Sequence, residues 1–220
     1  MKLNVDKIYI CHYKKLTARK KHITEQLHKF GLTDYYFVEE EFDKDTWNME
    51  EVLKEYPNIN DTEMLTSTKS LSLKHAWIVQ DMHKNGYSSV LVLEDDAIFC
   101  GDFVNKFNAY VEQMPPDWDI GWVGSCFHLK EPEKPGVNVY RTNRGSRCTH
   151  AFCLSKHFAT RMADEMRKVT GPPDFYYNHI VEKFDLNNYW FQPPLALQSL
   201  DFPSSCNKNP NHKWNPQEMG

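Results

Sequence analysis

Residues Ser88 to Phe99 read SSVLVLEDDAIF: the aliphatic run Val90-Leu91-Val92-Leu93 leads straight into the carboxylates Glu94-Asp95-Asp96, and the chain then returns to apolar Ala97-Ile98-Phe99. An unbroken aliphatic run of this kind reads as a buried strand, and the acids then stand at its carboxyl end. Adjacent carboxylates repel one another, and among apolar neighbours an unpaired charge is costly, so the triplet calls for a positive partner. Alternate side chains of an extended strand point the same way, so Glu94 and Asp96 are expected to converge while Asp95 faces elsewhere. Two hard oxygen donors on one side suit Mg²⁺ or Mn²⁺, which keep waters and complete their shell with phosphate oxygens. On the triplet alone, an Arg or Lys side chain or the N-terminus of the following helix answers the same need.

Working outward, Leu71, His75, Ile78, Val79 and Met82 share one face of a helix spanning Ser67 to Asn85, closed by Gly86 just before the aliphatic strand. Upstream, Lys7 to Cys11 alternates as a first strand, and Leu16, Ile23, Leu27 and Phe30 recur at helical spacing until Gly31. Tyr35 to Val38 reads as a second strand, followed by an acidic, irregular stretch through Asp61 with one short helix near Met49 to Tyr56. Downstream, Asp102 opens a helix with Phe103, Phe107, Tyr110 and Val111 inward, and Trp118 to Gly124 reads as another buried strand. Cys126 to Gly145 is an excursion; Ala151 to Leu154 resumes as a strand, Ser155 caps a helix carrying Phe158, Met162 and Met166, and a last helix begins near Asp174. Strands alternating with helices predict an α/β fold, a mostly parallel central sheet with helices on both faces, whose ligands sit outside the carboxyl ends of the strands.

The 220 residues suit one domain, and 40% hydrophobic with 25% charged residues is the balance of a folded globular chain. A net charge of -4 provides no global basic field, so nucleic acid is not an expected partner despite the local run Arg141, Arg144, Arg147. The cysteines are scattered, without C-x-x-C pairs, which predicts mostly free thiols in a reducing compartment. With no transmembrane segment and no signal peptide in MKLNVDKIYICHYKK, the sequence reads as cytoplasmic.

The order of these motifs resembles glycosyltransferase family 25, the lipopolysaccharide-type and collagen-type sugar transferases. The resemblance rests on Ile8 to Arg19, Ser72 with Trp77, VLVLEDDAIF, Pro116 to Ile120, His150 to Ser155, Pro173-Asp174, and Pro193-Pro194 with Gln198. Leu73 stands where the family has histidine after the helix serine. The resemblance implies a single GT-A-like (Rossmann-like) catalytic domain over residues 1–205; the Asn/Pro/Lys-rich end, residues 206–220, reads from its composition as a flexible tail. It further implies metal-dependent transfer of a sugar, with inversion, from a nucleotide-diphosphate donor of the UDP type to a hydroxyl of a glycan or glycoprotein acceptor. A non-catalytic carbohydrate-binding or assembly module on the same fold, and a nucleotidyltransferase, are the competing readings.

Within that resemblance, Asp96 and Glu94 are the candidate ligands of Mn²⁺ or Mg²⁺, and Asp95 touches the nucleotide ribose or an Arg/Lys partner. Arg19 resembles the family arginine near the nucleotide; the alternative is an exposed helix residue beside Lys20 and Lys21. Transfer needs a carboxylate that takes the acceptor's proton, and Asp174 is the candidate base, with helix N-cap as its alternative role. Glu39 to Asp43 reads as a solvated acidic run, and His150 and Ser155 as packing and capping residues. Trp77, Trp118, Trp122 and Trp190 read as core, and the lone histidines His179 and His212 read as structural rather than as a third metal ligand.

Overall fold

The computed structural model describes residues 2–60, 63–124 and 136–202. Its order is β1 (Lys7–Cys11), α1 (Thr17–Lys29), β2 (Tyr36–Val38), α2 (Met49–Glu55), α3 (Thr66–Asn85), β3 (Ser89–Glu94), β4 (Ala97–Phe99), α4 (Phe103–Val111), β5 (Ile120–Trp122), β6 (Val139–Thr142), β7 (Ala151–Ser155), α5 (Lys156–Met166), α6 (Pro173–Lys183), β8 (Asn188–Phe191) and β9 (Ala196–Gln198). The main sheet runs β2-β1-β3-β7-β5-β8-β6, and β4 with β9 forms a separate two-stranded sheet. β2, β1, β3, β5 and β8 share a direction while β7 and β6 oppose it, so the sheet is mostly parallel.

The pleat of β3 sorts its aliphatic residues onto two cores. Val90 and Val92 join Tyr9, Phe152 and Leu154 beneath Ile78, Val79, Phe158 and Ile180 of α3, α5 and α6. Leu91 and Leu93 join Ile8, Ile10 and Cys153 against Ile23, Leu27, Phe103 and Phe107 of α1 and α4. Helices thus cover both faces, and each fully buried Leu, Ile or Phe contributes about 1.5–3 kcal/mol.

α3 stops where Gly86 takes φ +68, in the left-handed region, and the Tyr87 N–H closes the end on the Met82 carbonyl at 3.3 Å. This lets the chain reverse into β3 within three residues. Ser155 caps α5 as expected, its hydroxyl accepting the Phe158 N–H at 3.1 Å.

Candidate active site

β1 and β3 are adjacent and parallel, in a register that sets Cys11 opposite Glu94. The residues leaving the two strands therefore meet: His12 Nδ1 lies 2.7 Å from Asp95 Oδ2. Beyond these ends opens a cavity of about 210 Å³, walled by the start of α1, by α3, by the acids, by residues 147–150 and by the first turn of α6. Because β7 runs antiparallel to β3, the segment entering β7 also arrives at this end, bringing Arg147, Thr149 and His150 into the wall.

The acids do not continue the strand. β3 ends at Glu94, and Asp95 and Asp96 form the turn into β4, so strand alternation stops before them. Both instead reach one guanidinium: Arg19 Nη1 is 2.8 Å from Asp95 Oδ1 and 2.9 Å from Asp96 Oδ2. The exposed reading of Arg19 is corrected, since it is 7% exposed. Its helical spacing explains this, because Arg19 precedes Ile23 by four residues and Leu27 by eight on the buried face of α1. The positive partner of Asp95 is thus an arginine of the chain itself.

Glu94 and Asp96 are less well compensated. Thr149 Oγ1 donates to Glu94 Oε1 at 2.5 Å, and Gln198 Nε2 donates to Asp96 Oδ2 at 3.2 Å. Asp96 Oδ1 is buried with no hydrogen-bond partner among the described residues. Burial, then repulsion from Asp96, pushes the Glu94 carboxyl up to about 8, with Thr149 opposing. Burial also raises Asp96, against the pull of Arg19. One arginine shared by two acids leaves a deficit of positive charge, and an orphaned carboxylate oxygen beside a second carboxylate fits a hard divalent cation. Among the described residues no group of three or more His, Cys, Asp and Glu is arranged to hold a metal. Mg²⁺-type ions are characteristically held by one or two carboxylates plus substrate phosphates, so two acids suffice for the fit.

Across the cavity, Pro172 occupies the N-cap of α6 and Asp174 lies in its first turn, which corrects the N-cap alternative. The Phe175 N–H donates to Asp174 Oδ1 at 2.9 Å. Burial raises the Asp174 carboxyl to about 6, opposed by that N–H and by Arg147. Asp174 in turn adds to the repulsion felt by Glu94, so the two walls act on each other electrostatically.

Other expectations resolve around this centre. His150 is buried, its pKa pushed down to about 4 by desolvation, with Nε2 3.3 Å from the Ala196 carbonyl. His179 is exposed beside Tyr176 and does not line the cavity, and His212 and the 206–220 tail lie outside the described residues. The solvated reading of 39–43 needs correction: Glu39 takes Lys20 at 2.6 Å, and buried Asp43 takes Lys14 at 3.0 Å. Trp122 and Trp190 are core residues. Cys11, Cys100 and Cys153 are free, but Cys148, in the cavity wall, is disulfide-bonded, which departs from the expected thiols. Sequence reasoning missed His12, Thr149 and Lys74; for Lys74 a signal existed, since it lies three residues after Leu71 and four before Ile78 on the buried face of α3.

A mostly parallel sheet with buried carboxylates and cations gathered beyond its carboxyl ends defines an α/β enzyme of the kind that binds its ligand at the strand ends. The family described as Glycosyltransferase family 25 (LPS biosynthesis protein) matches residues 5–171, and the chain belongs to that family; it is a glycosyltransferase. Among solved structures it is similar to the apo form of mouse xyloside xylosyltransferase 1, at 12% identity over 81% of this chain and 69% of that one, with a TM-score of 0.39. No curated protein matches. No helix among the described residues is long and apolar enough to cross a membrane.

Proposed function

We propose that this cleft transfers a sugar from a nucleotide-diphosphate donor of the UDP type to a hydroxyl of a glycan or glycoprotein, with inversion at the anomeric carbon and with Mn²⁺ or Mg²⁺ bound. The observation that carries the reading is the opposition, within one cavity, of the undercompensated pair Glu94 and Asp96 to Asp174.

Glu94 and Asp96 would hold the cation, which when bound neutralises charge on the donor diphosphate. Arg19 keeps Asp95 and Asp96 in place and adds a buried positive charge on the donor side. Asp174 receives the acceptor's proton on its carboxylate as the acceptor oxygen bonds to the anomeric carbon. The bond from that carbon to the phosphate oxygen breaks, and its electron pair leaves with the nucleoside diphosphate. A carboxyl near 6 is a stronger base than an ordinary aspartate yet largely ionised at neutral pH, the compromise that general base catalysis favours. Displacement from the face opposite the leaving group gives inversion. Residues 1–205 form the proposed catalytic unit. Cytoplasmic residence belongs to the same proposal, and the disulfide at Cys148 counts against the reducing compartment that scattered cysteines predict.

Nucleoside diphosphate release against a donor panel, with and without Mn²⁺, tests the reading. Turnover is expected only with a divalent ion, and Asp96→Ala is expected to abolish it by orders of magnitude while the protein stays folded. Wild-type turnover by Asp96→Ala would remove the metal assignment.

A further inference from the structure

Lys74 is 3% exposed and lines the cavity. Its Nζ donates to the His12 carbonyl at 2.6 Å and to the Val38 carbonyl at 2.8 Å, the first residue beyond β1 and the last of β2. An ammonium has three N–H donors, and two are used. Among the described residues the third has no acceptor, and no carboxylate pairs with Lys74. Burial holds its pKa below the usual lysine value, opposed by Cys11 and by Asp43, Glu41 and Glu39, none of which makes a hydrogen bond or ion pair with it. A buried cation without a contacting counter-charge weakens a fold, and two neutral carbonyls do not offset its desolvation.

The place of this cation is informative. The carboxylates stand beyond β3, whereas Lys74 bridges the ends of β1 and β2, between one and two strand spacings, roughly 5–10 Å, further toward the β2 edge. A donor whose diphosphate lies at the acids extends its nucleoside over the end of β1. Nucleoside hydroxyl and carbonyl oxygens are acceptors of the kind the third N–H lacks.

We propose that Lys74 is a donor-binding residue that gives its third N–H to an oxygen of the nucleoside, an inference resting on the donor-site reading above. The two carbonyl contacts aim the ammonium, and the ligand completes its shell. Binding and stability should then separate. A clamp that merely ties β1 to β2 would lose stability when removed, whereas a cation held for a ligand costs the empty protein stability and gains affinity.

Calorimetric titration of UDP, GDP, ADP, CDP and inorganic pyrophosphate into wild type and Lys74→Met, with Mn²⁺ present, decides the matter. Methionine keeps the volume and removes charge and donors. The best-bound nucleotide is expected to lose about 10-fold to 100-fold in affinity, the effect of one charged hydrogen bond, while pyrophosphate affinity stays unchanged. The melting midpoint of the empty variant is expected to equal or exceed that of wild type. Equal nucleotide affinity in both proteins overturns the role of Lys74 alone, and an equal loss for pyrophosphate overturns the nucleoside assignment. Wild type that binds no nucleotide of the panel overturns the donor reading itself. The unmutated protein supplies a second readout should the variant not fold: the Lys74 ¹³Cε resonance is expected to move with the nucleotide and not with pyrophosphate, and a resonance that stays still overturns the inference.

Discussion

If Asp174 accepts the acceptor's proton, the rate must follow its ionisation. The carboxyl is raised to about 6, first by burial and against the Phe175 N–H and Arg147. A base works only when ionised, so activity is present above that value and lost as pH falls through it. With a pKa of about 6, roughly nine-tenths of the sites are ionised near pH 7 and roughly one-tenth near pH 5, so the rate should fall about tenfold between them. Glu94 complicates the same range, because a carboxyl raised to about 8 carries a proton that a cation must displace. Mn²⁺ and donor are therefore held saturating at every pH, which leaves Asp174 as the titrating group. Nucleoside diphosphate release under those conditions, for wild type and Asp174→Asn, is the assay. The variant should lose about 100-fold or more in rate, keep donor affinity and show no acid limb. A wild-type profile flat from about pH 5 to 7, or the same limb in Asp174→Asn, would refute the assignment.

Other expectations concern the fold around the site. Glu94 and Asp96 have folded pKa values above their unfolded ones, so the metal-free protein should lose stability as pH rises from the ordinary carboxylate range toward about 8; added Mn²⁺ should raise the melting midpoint more near pH 8 than near pH 5, and a pH-independent shift would contradict the pair as ligands. Asp119 is fully buried and accepts from His157 at 2.8 Å, Arg161 at 2.8 Å and the Asn187 N–H at 2.8 Å. Asp119→Ala should cost about 3–5 kcal/mol in urea unfolding, and a loss under about 1 kcal/mol would show the hub to be dispensable. His75 is buried against Phe152, with neither ring nitrogen hydrogen-bonded among the described residues and its pKa pushed down to about 3 by burial. His75→Phe should therefore stabilise by about 1 kcal/mol, and a drop in melting midpoint would show that ring size outweighs the unmet polar groups.

What the sequence discloses follows the range of the forces involved. β1, α1, α3, β3, α4, β7 and α5 are legible because periodicity, Gly86 and the Ser155 cap are local signals. β4 and β9 are not, since Ala97–Phe99 and Ala196–Gln198 find each other across about a hundred residues, and short strands carry little period of their own. β6 falls inside what reads as an excursion, and the reversal of β7 leaves no mark on its residues. In the site, the acids are visible as a charge anomaly, but the turn at Asp95 and Asp96 is not, because strand alternation presumes a strand that ends later. Arg19 and Lys74 are hidden by composition: each is a cation among polar neighbours, and only the helical period shows that both point inward.

The two halves of the cleft are free to diverge at different rates. The side proposed for the donor hangs on the ends of β1 and β3, locked by a parallel register and by Arg19 bridging two acids. Its other wall is delivered by the chain entering β7 from the opposite direction, a segment that begins at edge strand β6 and is held by side chains such as Asn178 and Asn188 rather than by strand pairing until β7 starts. Residues can be added or removed ahead of β7 without shifting β1 or β3. Under the proposed function the acceptor wall can vary across related chains while the ends of β1 and β3 stay still, and a graft between relatives that keeps Thr149 and His150, both hydrogen-bonded to Glu94, is the exchange this architecture tolerates.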